Sequence, residues 1–151
     1  MKILAIECSA TPASVAVLDG NKLLTNAFVN VKLTHSQTLM PMIESTLNAA
    51  KINISDIEGF AISNGPGSFT GVRIGISAVK GLAAAKKLPC AAVSTLYAMA
   101  QSYCDTECIV CAVMDARCNQ FYNALSNIEN GEITRLCDDR ALSGNELLED
   151  D

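Results

Sequence analysis

This sequence of 151 residues contains no tryptophan, one histidine and four prolines, and aromatic residues make up 5% of it. A single histidine without a nearby set of ligands does not build a histidine metal site or a Ser-His-Asp triad. The longest uncharged run, residues 88–104, is interrupted by Pro89 and by several polar side chains. We therefore expect no membrane-spanning helix. Low-complexity segments are also missing, and half of the residues are apolar, which is typical of a globular chain.

The sequence has no excess of basic residues. Its formal net charge is −5, and residues 129–151 alone carry a net charge of −6. A chain without a basic surface is expected to bind nucleic acid weakly by itself. Seven cysteines, an odd number scattered among apolar residues, fit a reducing cytoplasm better than a disulfide framework. Glu7 follows the first apolar run too soon for a signal peptide, so we expect a cytoplasmic protein.

Hydrophobic patterning predicts a regular order of strands and helices in the first part of the chain. Three strands are followed by helix, strand, helix, strand and helix. The predicted strands are 3–8, 13–18, 22–31, 59–63 and 88–93, and the predicted helices are 36–50, a second one ending near 87, and a third from Ser94 or Thr95 to 103. This order resembles one ribonuclease-H-like lobe of the actin and heat-shock ATPase architecture. We therefore expect an α/β fold, with a mixed sheet flanked by helices, over residues 1–105.

The same pattern begins again in residues 106–151, where we expect a second, similar lobe. A strand over 109–115 ends in Asp115, and strands over 120–128 and 132–136 flank Asn130-Gly131, a strong hairpin signal. Ser143 is suited to cap a helix that begins near Glu146. The strands and helices that would complete this lobe are not in the sequence. We interpret the chain as a fragment of a longer protein.

The segment from Asn64 to Ile76 is rich in glycine. It starts as a turn and continues into a helix whose small residues share one face, namely Gly71, Gly75, Ala78, Gly81 and Ala85. Interior glycines cost roughly 1 kcal/mol each relative to alanine, so several of them in one helix need a reason. One alternative is a phosphate cradle at the helix N-terminus, and the other is close packing of a neighbour. The turn lacks a Walker A lysine, and Pro66 removes one N–H group, which favours packing.

The predicted helix over 36–50 is apolar around more than half of its circumference. Its apolar residues are Leu39, Met40, Met42, Ile43 and Leu47. A helix of this kind is buried on more than one side, either in a core or against a partner.

Two further groups of residues suggest chemistry. Carboxylates at matching strand ends, Glu7 and Asp115, together with Ser9, are placed to hold a metal–nucleotide in a two-lobed fold, or they simply end their strands in solvent. The spacing Cys104-x-x-x-Cys108-x-x-Cys111 matches that of radical S-adenosylmethionine enzymes. Cys108 and Cys111 would point to opposite faces of a strand, however, so we interpret them as core and surface cysteines.

Four blocks of the sequence resemble the bacterial TsaB (YeaZ) family, a branch of the actin/heat-shock-ATPase superfamily. They occur in the family's order, and the glycine-rich block is highly specific. The blocks are Ile6-Glu7-Cys8-Ser9, residues 35–43 from His35 to Ile43, residues 65–75 from Gly65 to Gly75, and Val113-Met114-Asp115-Ala116-Arg117. The resemblance implies a role in making threonylcarbamoyladenosine beside the anticodon of tRNA. Leu39 stands where a second histidine would complete the metal motif of the catalytic paralogue TsaD.

The resemblance implies a non-catalytic scaffold subunit that pairs with TsaD, works beside a TsaE-type ATPase, forms a homodimer when alone, and meets tRNA only through the complex. It implies no intrinsic cofactor or metal, and leaves open ATP or ADP with Mg²⁺ at the complex. The pairing would use the first-lobe helices, through Leu39, Met42, Ile43, Thr46, Leu47, Gly71, Gly75, Ala78 and Val79. The alternative function is a nucleotide-binding enzyme of the actin-like fold, with Glu7 and Asp115 at an ATP–Mg²⁺ cleft.

Overall fold

The computed structural model describes residues 1–31 and 33–149 of the chain. They form two compact units, Met1–Asn64 with Ser68–Val93, and Gly65–Gly67 with Ser94–Asp151. The main division between the two units lies between Val93 and Ser94.

The first unit is built on a five-stranded mixed sheet in the order β3-β2-β1-β4-β5. Strands β1 to β3 form an antiparallel meander, and β4 and β5 extend the sheet in parallel from β1. The elements are β1 (Lys2–Glu7), β2 (Ala13–Asp19), β3 (Lys22–Val29), α1 (His35–Ala49), β4 (Gly59–Ser63), α2 (Phe69–Ala84) and β5 (Cys90–Val93), with a 3₁₀ turn at Ile54–Asp56. This topology confirms the predicted ribonuclease-H-like lobe.

The core of the first unit lies between one face of this sheet and the helices α1 and α2. Alternate residues of the strands point into it, since successive side chains of a strand face opposite sides. The fully buried members include Leu4, Val15 and Val17 from the sheet, and Leu39 and Val79 from the helices.

The helix ends differ from the predicted ones. Helix α1 begins at His35, one residue before the predicted start, and its N-cap residue, Thr34, makes no side-chain capping hydrogen bond. Helix α2 ends at Ala84, before Lys86 and Lys87. The N-cap of α2 is Ser68, whose hydroxyl accepts a hydrogen bond from the N–H of Gly71 at 3.3 Å.

The second unit contains a four-stranded antiparallel sheet in which β7 pairs with β6, β8 and β9. Its elements are α3 (Thr95–Ala100), β6 (Cys108–Arg117), β7 (Gln120–Glu129), β8 (Glu132–Arg135), β9 (Arg140–Ser143) and α4 (Gly144–Leu148). The hairpin at Asn130-Gly131 is confirmed, with positive φ at both residues. Strand β9 was not predicted. Ser143 caps α4 as expected, and its hydrogen bonds lower the pKa of Glu146.

Helix α3 belongs to the second unit although it directly follows β5. Its buried Leu96 packs with Ala112 of β6 and Ala124 of β7. This small apolar cluster holds α3 against the second sheet and explains why the units divide before α3 and not after it. In the part of the chain that the structure describes, every helix is too short or too polar to cross a membrane.

Candidate partner-docking surface

The glycines of α2 allow the helix to lie directly against the end of β1. A β-carbon on Gly71 would lie less than 3.0 Å from the Cys8 carbonyl oxygen, and 3.0 Å from Cδ2 of His35. A β-carbon on Gly75 would lie 2.9 Å from Cδ1 of Ile62 and 3.4 Å from the Cys8 β-carbon. Both glycines are therefore needed for packing within the first unit. A bulky residue at Gly75 would test the folding of this unit, not a partner contact.

Cys8 is part of the same packed contact. Its side chain is buried, and this burial raises the pKa of the thiol to about 11, with the nearby Glu7 carboxylate as a second cause. A thiol with this pKa stays protonated near neutral pH, so it is a poor nucleophile. Cys8 therefore acts as a small apolar side chain beneath α2.

The residues that the sequence assigns to a partner contact lie inside the first unit. Ala78 is half-buried and the others are buried, namely Leu39, Met42, Ile43, Thr46, Leu47, Gly71, Gly75 and Val79. Their apolar face is covered by the chain's own sheet, because α1 and α2 both pack there. The pairing through these residues stays a prediction, and two of them, Ile43 and Leu47, also line a surface groove beside α1.

We use the name docking face for exposed positions of both helices, namely Met40, Pro41 and Glu44 of α1, which border a groove, and Ser77 and Gly81 on the exposed side of α2. All five are exposed, Met40 to 49%. A groove of about 490 Å³ borders Met40, Pro41 and Glu44, and Leu82 of α2 lines it as well. A β-carbon on Gly81 would meet no atom within 4 Å. The docking face thus combines an apolar groove with a helix surface that another helix can approach closely.

An aromatic–cation pair lies at the start of α2. Phe69 is 71% exposed, and the Arg73 guanidinium carbon lies 4.2 Å from the centre of its ring. Such pairs are attractive, and aromatic and arginine side chains contribute strongly at protein interfaces. The pair presents a large exposed apolar ring and a positive charge on the same helix as Ser77 and Gly81.

His35 has a structural partner in the first unit. Its Nε2 lies 2.9 Å from the carbonyl oxygen of Ala10, to which it donates a hydrogen bond. Leu39, one turn further on, is buried in the core. His35 therefore braces the start of α1 against the loop between β1 and β2.

The two candidate carboxylates play matching local roles. Glu7 accepts the N–H of Ser9, and Asp115 accepts the N–H of Arg117 at 2.7 Å, each two residues further along the chain. Glu7 thus stabilises the turn that follows β1, and Asp115 stabilises the end of β6, where the pairing register with β7 shifts. The Ser9 hydroxyl is buried and has no hydrogen-bond partner among the described residues.

The cysteines of the second unit are not gathered into a metal site. Cys111 lies on β6, where its sulfur accepts a hydrogen bond from Nδ2 of Asn123 at 3.1 Å. Within residues 1–31 and 33–149, no three histidine, cysteine or acidic side chains come together as metal ligands. Asn123 is fully buried, and its amide oxygen accepts from Arg140, so this hydrogen-bonded group organises the second sheet. Sequence reasoning missed it, since neither residue stands in a recognisable motif.

A family model, curated relatives and a solved structure that are similar to this chain come from one group. Residues 29–149 match the family model described as "TsaD: tRNA N6-adenosine threonylcarbamoyltransferase". The tRNA threonylcarbamoyladenosine biosynthesis protein TsaB of Bacillus subtilis is 32% identical over 93% of this chain and 61% of its own length. The same protein of Escherichia coli is 38% identical over 87% of this chain and 58% of its own length. The solved structure of YeaZ from Pseudomonas aeruginosa superposes with a TM-score of 0.85, at 34% identity, over 93% of this chain and 67% of that one.

The chain belongs to the TsaB (YeaZ) family. The identities and the superposition extend over both units, so the predicted family and fold are confirmed. The chain spans about three fifths of the length of the curated TsaB relatives it matches. The glycine-rich segment that carries the family resemblance also packs α2 against Cys8. This close packing explains why Gly71 and Gly75 have no side chain.

Proposed function

We propose that this chain acts as a scaffold subunit in the threonylcarbamoyladenosine modification of tRNA. It docks on a TsaD-type transferase through the docking face of α1 and α2, and it contacts tRNA only through the assembled complex. A TsaE-type ATPase joins the same complex, and a homodimer through the same face forms when the transferase is absent. ATP or ADP and Mg²⁺ bind at the complex and not at this chain alone.

The observation that carries the proposal is the apolar groove beside α1 on the outside of the first unit. Met40 and Pro41 line it and are exposed, although α1 already buries its other apolar face in the core. Apolar helix surfaces of this kind bury against helices of a partner, with anchors spaced by three or four residues. Membership of the TsaB family and the match to a TsaD family model support a TsaD-type partner.

The two helices carry few charged residues, and these are of both signs. Helix α2 contains Arg73 and Lys80 and no acidic residue, while α1 contains Glu44 as its one carboxylate. Charges at the rim of an interface mainly set the rate and the specificity of association. We therefore expect the association rate to fall as salt concentration rises.

The experiment is a threonylcarbamoyl transfer assay with a TsaD-type transferase and a TsaE-type ATPase, in the presence and absence of this chain. The chain should raise the yield of modified tRNA, and Met40→Glu should abolish the increase, since it places a charge in the groove. Ile109→Glu is the matched control, because Ile109 is an equally apolar, 65% exposed residue of the second unit. An equal yield with wild type and Met40→Glu would overturn the assignment of the face.

A further inference from the structure

Strand β3 lies at one edge of the first sheet. The sheet has the order β3-β2-β1-β4-β5, and within the described part of the chain β3 pairs with β2 alone. A strand in this position presents a row of N–H and C=O groups with which a further strand can pair. Asn26 and Phe28, in the middle of β3, are both exposed, Phe28 to 67%.

The pairing register identifies the backbone groups of β3 that point away from β2. The N–H of Gly20 donates to the carbonyl oxygen of Met1 at 3.0 Å, so the preceding residue, Asp19, directs its own N–H and C=O away from β1 and toward β3. Because these directions alternate along a strand, every second residue of β2 bonds to β3 in the same way. Their partners on β3 are Thr25, Ala27 and Val29. Asn26 and Phe28, which lie between these partners, therefore direct their N–H and C=O groups to the free edge.

The two edges of the first sheet differ in how they are protected. Proteins protect exposed edges with short strands, prolines, charged residues and bulges. The edge strand β5 has four residues and directly follows Pro89. Strand β3 has eight residues, the most in this sheet, and residues 23–31 contain no charged residue, proline or glycine. Its one bulge, opposite Leu18, leaves Thr25–Val29 in regular register with β2. The edge at β3 is thus long, regular and unprotected.

We propose that a second copy of this chain pairs with the outer side of β3, so that two five-stranded sheets become one continuous sheet. The two β3 strands run antiparallel, about a two-fold axis that passes beside Ala27. In this register Asn26 stands opposite the partner's Phe28, and Phe28 stands opposite the partner's Asn26. Such a contact is isologous, because both copies use the same surface.

The regular part of β3 favours a second copy as the occupant. Thr25–Val29 is symmetric about Ala27, so the outward N–H and C=O groups of Asn26 and Phe28 all find partners when two copies meet there. A register shifted by one residue would direct them at groups that already bond to β2. A shift by two residues would bring the irregular start of β3 into the contact. Residues 23–31 carry no charge, so like charges do not oppose each other along this stretch.

This contact is separate from the docking face, since it uses a sheet edge and no residue of α1 or α2. The test is therefore made on the Met40→Glu chain, in which a homodimer through the docking face is lost. Light scattering on a sizing column, under reductant, measures its oligomeric state. We expect a dimer, because the edge of β3 is unchanged.

Two double variants of the Met40→Glu chain test the proposed register. Asn26→Lys with Phe28→Lys places like charges opposite each other across the contact, so the dissociation constant should rise on the order of tenfold. Asn26→Lys with Phe28→Asp is the matched control. It changes the same two exposed residues but places opposite charges across the contact, so it should stay a dimer.

Circular dichroism of both double variants checks that each is folded. The proposal is overturned if the Met40→Glu chain is a monomer, or if the two folded double variants dimerise equally well. These measurements contain no transferase, so their outcome does not depend on whether the proposed function is correct.

Discussion

Gly71 and Cys8 are in such close contact that a β-carbon on Gly71 would overlap the carbonyl oxygen of Cys8. This contact places the first turn of α2 directly on the end of β1. Gly81, further along the same helix, has free space around it. Helix α2 therefore contains one glycine, Gly71, that the packing of the first unit requires, and another, Gly81, that this packing does not require.

Replacement of these two glycines should have opposite effects on stability. Gly71→Ala must displace backbone, and overpacking of this kind costs about 1–3 kcal/mol or more. Gly81→Ala should stabilise by roughly 0.5–1 kcal/mol, because alanine is the better helix former and meets no neighbour. Urea unfolding followed by circular dichroism measures both. A Gly71→Ala variant as stable as wild type would contradict the described contact.

The buried Cys8 thiol should make stability fall in alkaline solution. Its pKa rises from the ordinary 9.0 to about 11 in the folded chain, so the folded state holds the proton more tightly than the unfolded state. This contribution is complete below pH 9 and is lost as the pH rises to 11, with a slope of up to about 1.4 kcal/mol per pH unit. The measurement is the free energy of unfolding from pH 8 to pH 11 for wild type and Cys8→Ala. If the free energy of unfolding changes with pH in the same way for both proteins, Cys8 is not the cause of the alkaline loss of stability.

The buried amide of Asn123 should be essential for the second unit. Its Nδ2 donates to the carbonyl of Ala112 at 3.3 Å, and its oxygen accepts from Arg140. Asn123→Ala leaves these groups without their partner, which costs roughly 1–3 kcal/mol for each buried group. Asn48→Ala, at an exposed position of α1, is the control and should change stability by less than about 0.5 kcal/mol. Thermal unfolding of both variants distinguishes the two environments.

The competing account, a nucleotide-dependent enzyme, makes a different prediction for Asp115. In our account this carboxylate stabilises the irregular end of β6, so Asp115→Ala should lower stability by about 1 kcal/mol. Calorimetric titration of the chain with Mg²⁺–ATP should give no saturable heat, in wild type or in the variant. Saturable binding that disappears in Asp115→Ala would favour the enzyme.

The sequence was informative about the order of the elements and less so about their surroundings. Alternating apolar residues predict β1 to β3, and Asn130-Gly131 predicts the β7–β8 hairpin, because these signals are local. Strand β9 is short and contains Arg140, so its pattern is weak, and its pairing with β7 depends on residues far away in sequence. Local signals are thus the ones that a single sequence conveys.

The same limit applies to the predicted partner contact. Helical periodicity identifies Leu39 and Leu47 as an apolar face, but it does not tell whether the chain's own sheet or a partner covers that face. The sequence also does not tell which small residues of α2 are packed. A β-carbon on Gly75 would meet Ile62 and Cys8, whereas a β-carbon on Gly81 would meet no atom within 4 Å. Likewise, the sequence places α3 after β5 without indicating which sheet it packs against.

The most direct test of the central claim is light scattering on a sizing column, under reductant, of this chain mixed with a TsaD-type transferase. The account predicts a one-to-one complex with the wild-type chain and with Ile109→Glu, and no complex with Met40→Glu. Gly81→Leu, which adds bulk to the docking face in open space, should also prevent the complex. The account would be contradicted if the transferase does not bind the wild-type chain. It would also be contradicted if Met40→Glu and Gly81→Leu form the complex to the same extent as wild type.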